Sequence, residues 1–298
     1  ETNVTAMSPV TRAILLSLLA LLFFDFMGLI IKMLSSRYTA AELSVYRNFF
    51  GVIPSIIALQ QTDLWRQPDR SFRIRQWRIA CLRGIILTFA QLFFYLSLGR
   101  LAFATATTIS YSNALFMTVF AIVLLGERVG FVRWAAVLIG FVGVVMIMQP
   151  GGDSFTWDAL LPFAAAALYA LVGVMARMID EEVSTALVNI YANIFSLIGS
   201  IALALMLGGF SDITSGADVV WIVAMGSFGG TAVLCLIISF RMTEQSNLAP
   251  FTYFGIPLAV LLGWLFFSEA PLKDLFPGSL LIISSGLLVI WRERQLND

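Results

Sequence analysis

The sequence predicts an all-α integral membrane protein of ten transmembrane helices, arranged as two inverted-topology five-helix repeats. Three observations predict it: a composition too apolar for water, ten apolar segments of spanning length, and a match between the front and back halves of the chain. Of the 298 residues, 59% are apolar and 12% are charged, with a mean hydropathy of +0.91. An ordinary soluble domain carries roughly 25% charged residues. This chain therefore lacks the polar surface to cover a globule in water, and a bilayer is the solvent that accepts it. The formal net charge is zero, so nothing points to nucleic acid as a partner.

A span needs about 20 predominantly apolar residues to cross the hydrocarbon core. That rule places helices near 11–33, 40–59, 77–99, 102–125, 130–149, 156–178, 184–207, 218–241, 246–267 and 275–292. Residues 1–10 carry no basic stretch and no small-residue cleavage site, and the first apolar run is too long for a signal peptide. It is expected to stay as the first span. Short separators with breakers or charges follow the later spans, as at 149–153 (Gln-Pro-Gly-Gly-Asp), 208–212 and 269–274. Only 60–76 is long and irregular enough to hold a surface helix.

Ten spans put both termini on one side. That side collects twelve basic residues, densest at Arg66, Arg70, Arg73, Arg75 and Arg78, against Lys32, Arg37, Arg100 and Lys273 on the other. The asymmetry predicts cytoplasmic termini.

The halves match at a fixed offset, the signature of an internal repeat. At an offset of 145, Gly28 to Met33 lies on Gly173 to Met178, Tyr46-Arg-Asn48-Phe-Phe50 on Tyr191-Ala-Asn193-Ile-Phe195, and Ser55 on Ser200. At 142, Gly84 meets Gly226, Ser97 meets Ser239, Tyr111 meets Tyr253, and Gly126-Glu127 meets Ser268-Glu269. The division is 1–150 and 151–298. Five spans is an odd number, so the second copy enters the membrane from the opposite side, as in many inverted-repeat membrane proteins.

With these residues in view the chain resembles the drug/metabolite transporter superfamily in its ten-helix EamA-type form. The likeness covers essentially the whole chain. It rests on the two five-helix copies, on Gly126-Glu127 and Ser268-Glu269 closing the fourth and ninth spans, and on the small-residue start of the fourth, Ala104 to Thr108. The chain is also similar overall to the YddG-type amino-acid exporters, a likeness without a substrate-specific motif. The resemblance implies a central cavity lined by spans 1, 3, 4, 6, 8 and 9, with spans 5 and 10 peripheral, in a bacterial-type inner membrane. Ser268 in place of glycine reads as a packing difference.

A charge inside the bilayer is costly and is a functional hypothesis by default. Asp25 lies mid-way along the first span, and its match is Ala170. It could receive a substrate ammonium, carry a proton, or pair with Lys32, Arg47 or Arg83. Arg47, matched by Ala192, could meet a substrate carboxylate or pair with Asp25 or Glu42. Arg83 could snorkel from the end of the third span. Lys32 and Arg177 read as cations complementing helix C-termini. Arg83, Leu87, Gln91 and Tyr95 share one face of the third span; Thr107, Tyr111 and Thr118 share one of the fourth, with Ser110 and Asn113 beside it. These stripes suit a wet cavity or close helix packing. Asn247, Pro250, Tyr253 and Pro257 mark the ninth span, whose two prolines would free backbone carbonyls. Pro54 and Pro162 are hinge candidates.

The candidate substrate-binding set is Asp25, Gln91, Tyr95, Tyr111, Asn113, Tyr169 and Tyr253. The gating or structural set is Arg47, Pro54, Arg83, Glu127, Pro257 and Glu269. There is no histidine, and Cys81 and Cys235 sit singly in apolar runs, so no metal or cofactor is expected. An enzyme would need paired acids or a nucleophile with its base, and none falls at helical spacing within the spans. A channel favours a symmetric polar ring, whereas Asp25 and Arg47 have no match in the other copy. With no ATP-binding motif, the expectation is a secondary transporter that exports amino acids, aromatic and other neutral ones, by alternating access; the alternative is an exporter of another small metabolite or a drug. The partners are the small solute and the lipid bilayer, and a monomer suffices.

Overall fold

A computed structural model describes residues 9–61, 65, 72, 74–126, 130–149, 156–180, 182–213, 215–242, 248, 251–269 and 271–297. Every regular element among them is helical: α1 (Pro9–Leu34), α2 (Ala40–Gln60), α3 (Trp77–Arg100), α4 (Phe103–Ser110), α5 (Asn113–Leu125), α6 (Phe131–Met148), a 3₁₀ turn (Trp157–Ala159), α7 (Leu160–Ala176), α8 (Thr185–Met206), α9 (Gly216–Met242), α10 (Gly255–Phe267), α11 (Leu272–Leu275) and α12 (Gly278–Asn297). Among the described residues six helical segments are long and apolar enough to cross a bilayer, and three shorter apolar ones lie at Trp134–Met148, Gly255–Phe267 and Gly278–Leu288. Most of the 60–76 loop, with Arg66, Arg70 and Arg73, lies outside the described residues, as do Glu127, Asn247 and Pro250.

Lipid is the solvent on the outside. Large apolar side chains such as Phe131, Leu138, Met206 and Trp264 are exposed, a pattern water would penalise and hydrocarbon does not. Inside, α1 runs along α9, α7 along α3, α2 against α8 and α9, α8 against α3, α6 along α12, and α4 against α10. The main core gathers around Ile30, Leu43, Tyr95, Leu98, Phe103 and Met225.

Local chemistry explains the helix ends. Thr39 and Glu42 form a reciprocal capping box at the start of α2. α5 and α10 both end in a left-handed residue, Gly126 at φ 67° and Ser268 at φ 55°. Ser268 thus differs from Gly126 in backbone strain rather than packing: a side chain is forced into a region that costs about 1–2 kcal/mol.

Two expected continuous spans are broken. The fourth turns at Tyr111–Ser112, where three-residue hydrogen bonds such as Leu115 N to Ser112 O at 3.0 Å replace the helical ladder. A second turn at Tyr253–Phe254 precedes α10. Each turn carries a tyrosine, and the two rings meet at 6.2 Å. Pro162 and Pro257 each stand third in their helices, where a missing N–H costs nothing and no carbonyl is freed. Pro54 sits within an unbroken α2 and packs against Gly230 of α9.

Candidate functional site

A cavity of about 340 Å³ lies between α1, α3, α4 and α7, with Arg47 of α2 and Val233 of α9 also on its wall. Helix α1 gives it Asp25, because a single acid at mid-helix, four residues after Leu21 and three before Gly28, falls on the inward face. α3 contributes Leu87, Gln91 and Tyr95 from the four-residue stripe read in the sequence. Thr107, Ser110, Tyr111 and Asn113 follow the chain through the broken span, and α7 adds Tyr169. Six of the seven expected substrate residues therefore share one cavity. The seventh, Tyr253, stands behind the wall and packs on Tyr111.

Asp25 is buried, its Oδ2 has no hydrogen-bond partner among the described residues, and it forms no ion pair with Lys32, Arg47 or Arg83. Arg47 is also buried, and meets amides rather than an acid. Its Nη1 donates to Asn48 Oδ1 at 3.0 Å and Asn193 Oδ1 at 3.4 Å, while Nε has no partner among the described residues. Glu42 is engaged elsewhere, accepting from Thr39 N at 2.6 Å and from Ser211 N. One cavity thus holds a carboxylate and a guanidinium, and neither forms an ion pair among the described residues.

Gln91 lines the same wall with its amide committed. Its Nε2 donates to Asn48 Oδ1 at 3.0 Å, and its Oε1 accepts from Asn48 Nδ2 at 2.8 Å. The apolar side comes from Phe24, Phe94 and Phe103, with Phe94 edge-on to Tyr169 at 6.4 Å. These phenylalanines carried no sequence signal, because nothing distinguishes them among 25. The amide network had one: Asn193, Ser196 and Ser200 repeat at helical spacing on one face of α8.

Arg83 does not snorkel. α7 covers this stretch of α3, and buried Nε donates to Val172 O at 2.9 Å. Lys32 and Glu269, read separately as a helix-end cation and acid, are joined at 2.8 Å. Lys32 Nζ also donates to Leu101 O at 2.6 Å, and Glu269 Oε2 accepts from Phe103 N at 2.8 Å. Phe103 lines the cavity, so this link fastens one of its ends. The same face is tied by Arg37 to Asp218 at 2.5 Å and by Arg100 to Asp158 at 2.9 Å. Glu127 lies outside the described residues.

The EamA-like transporter family matches the chain twice, over residues 11–149 and 156–291. The chain is 25% identical over 267 residues to an S-adenosylmethionine uptake transporter of Rickettsia conorii, covering 89% of this chain and 87% of that one. It is 32% identical over 192 residues to a riboflavin transporter of Rhizobium johnstonii, 64% of this chain and 62% of that one. It is 23% identical over 286 residues to the pseudopaline exporter of Pseudomonas aeruginosa, covering 93% of each. A solved crystal structure aligns over 97% of this chain and 99% of its own with a TM-score of 0.64 at 22% identity, a likeness of fold. The paired family matches cover nearly the whole chain and its relatives are transporters rather than enzymes, so this multi-pass membrane protein belongs to the EamA-like transporter family of the drug/metabolite transporter superfamily.

Proposed function

We infer that the chain is an alternating-access secondary carrier of small zwitterionic metabolites of the amino-acid type, acting in export of aromatic and other neutral amino acids. One observation carries the reading: a buried carboxylate and a buried guanidinium line one cavity, and among the described residues neither forms an ion pair, with the other or with a third group. Unpaired charge at this depth costs several kcal/mol or thereabouts unless a ligand compensates it. A zwitterion supplies both counter-charges, an ammonium for Asp25 and a carboxylate for Arg47. Phe24, Phe94 and Phe103 would take its apolar or aromatic body.

Alternating access calls for two copies that exchange roles, and we take the chain as ten spans in two inverted halves, 1–150 and 151–298. The packing supports this. Exchanging each span with the one five places along turns α1 on α9 into α7 on α3, α2 on α9 into α8 on α3, and α5 on α7 into α10 on α1; α2–α8 and α6–α12 map onto themselves. A Cβ on Gly84 would run into Phe195, and one on its match Gly226 would run into Phe50, itself the match of Phe195. The Lys32–Glu269 face is the closed one in this scheme. Both termini lie on the opposite, cytoplasmic side of an inner membrane, and a monomer performs the cycle.

A second reading draws on the relatives named for S-adenosylmethionine uptake. That solute carries an amino-acid head, a sulfonium cation and a purine, and so asks for the same three surfaces. Counterflow into liposomes holding the purified protein separates the readings, with labelled phenylalanine, leucine, S-adenosylmethionine and riboflavin as probes. Saturable exchange of the amino acids, lost in a variant carrying Asp25→Ala and Tyr111→Ala, is the expected result. Exchange of riboflavin alone, unaffected by the variant, removes the zwitterion reading.

A further inference from the structure

We propose that Asn48 and Asn193 are positioning residues that set the charge preference of the cavity, by holding Arg47 with neutral oxygens so that its positive charge stays available to a solute's anionic group. The proposal rests on the zwitterion reading for its solute and on the geometry alone for its account of Arg47.

A guanidinium has donors only, so each amide must turn its oxygen toward Arg47 and its nitrogen away. The hydrogen bonds agree. Asn48 Nδ2 donates to Gln91 Oε1 at 2.8 Å, Ser196 Oγ at 3.0 Å and Ser200 Oγ at 3.4 Å. Asn193 Nδ2 donates to Ser55 Oγ at 3.5 Å. Carbonyl dipoles fix the direction of the arginine without cancelling its charge, whereas a carboxylate in either place would do both. Asp25 lines the same cavity without pairing to it.

The frame is doubled and the arginine is not. Asn48 and Ser55 lie on Asn193 and Ser200 at the offset of 145, and the bonds Asn48–Ser200 and Asn193–Ser55 are images of one another. Arg47 falls on Ala192, a residue without a polar group. A shared scaffold of amides and hydroxyls therefore carries one asymmetric charge, and the scaffold is what aims it.

The test is Asn193→Asp. The change is isosteric, and the Ser55 hydroxyl can donate to the new carboxylate where it now accepts. Counterflow is competed by L-phenylalanine against phenethylamine, and by S-adenosylmethionine against its decarboxylated form. In N193D the preference for the carboxylate-bearing member is expected to fall about tenfold, the effect of one lost charge-assisted contact; an unchanged preference overturns the proposal. A solute-free reading runs beside it. In detergent the thermal midpoint of N193D should exceed that of N193A, because the aspartate gives Arg47 a counter-charge, and the gap should close in an Arg47→Met background. A midpoint for N193D at or below that of N193A overturns the proposal. Wild type that exchanges none of these solutes removes the zwitterion reading, and the thermal comparison still decides the state of Arg47.

Discussion

Two regions of this molecule use charge in opposite ways. At the helix ends Lys32 and Glu269 are spent within the fold: Lys32 meets Glu269, Leu101 O and the face of Phe267, and Glu269 meets Phe103 N. One layer deeper, Asp25 and Arg47 line a cavity, and neither forms an ion pair among the described residues. The first arrangement is a fastening, since each group is satisfied by the fold itself. The second satisfies nothing internally, and its charges gain most from an incoming solute. Depth alone would have ranked both as costly; the partners tell them apart.

The largest expected effect breaks the comparison at its deeper member. Asp25→Ala should weaken solute exchange about a hundredfold, corresponding to about 3 kcal/mol for a lost charged contact. The thermal midpoint should hold or rise, because the buried carboxylate has no partner among the described residues to abandon. A fall in stability with exchange intact would make Asp25 a structural group. Next comes Gly255→Ala. A Cβ there would collide with the Tyr111 hydroxyl, and overpacking of this kind costs about 1–3 kcal/mol. The displaced ring should lower exchange about tenfold while the Lys32–Glu269 link stays intact; equal exchange by both proteins would show that Tyr111 is free to move.

The fastening itself is measured by a double-mutant cycle of Lys32→Met and Glu269→Gln on thermal stability. A coupling of about 1 kcal/mol is expected for a part-buried pair between membrane helices, and additive losses would mean that the two charges act apart. Arg100 and Asp158, joined on an exposed edge, should give the smallest effect. Arg100→Ala should change stability by about 0.5 kcal/mol or less, and a larger loss would extend the fastening across the whole face.

Much of the cavity could be read from the chain. Asp25 stood out because an acid amid an unbroken apolar run has few structural excuses, and Gln91 and Tyr95 because four-residue spacing keeps them on one face. Their neighbours were harder. Gln91 reads equally well as a solute ligand or as a helix-to-helix contact, and its amide pairs with Asn48 of another helix. Arg83 read as a side chain reaching for the surface, and α7 lies over it. Pro162 and Pro257 read as breakers, and each falls in a first turn, while the actual turns occur at Tyr111 and Tyr253. A boundary error of two or three residues decides whether a proline interrupts a helix or begins one.

By itself the sequence determined the solvent, the apolar segments, the matched positions at offsets of 145 and 142, and the few ionisable residues placed too deep to be incidental. Those properties are local or self-referential: hydropathy is summed along the chain, and a repeat is found by comparing the chain with itself. Tertiary structure decided the partners. It set Lys32 against Glu269, gave Arg47 two amides instead of an acid, and left Asp25 facing the cavity. In water a helix announces its inner face by its apolar stripe. In a bilayer the outer face is apolar too, so the stripe disappears, and which helix meets which is settled only when the whole bundle packs.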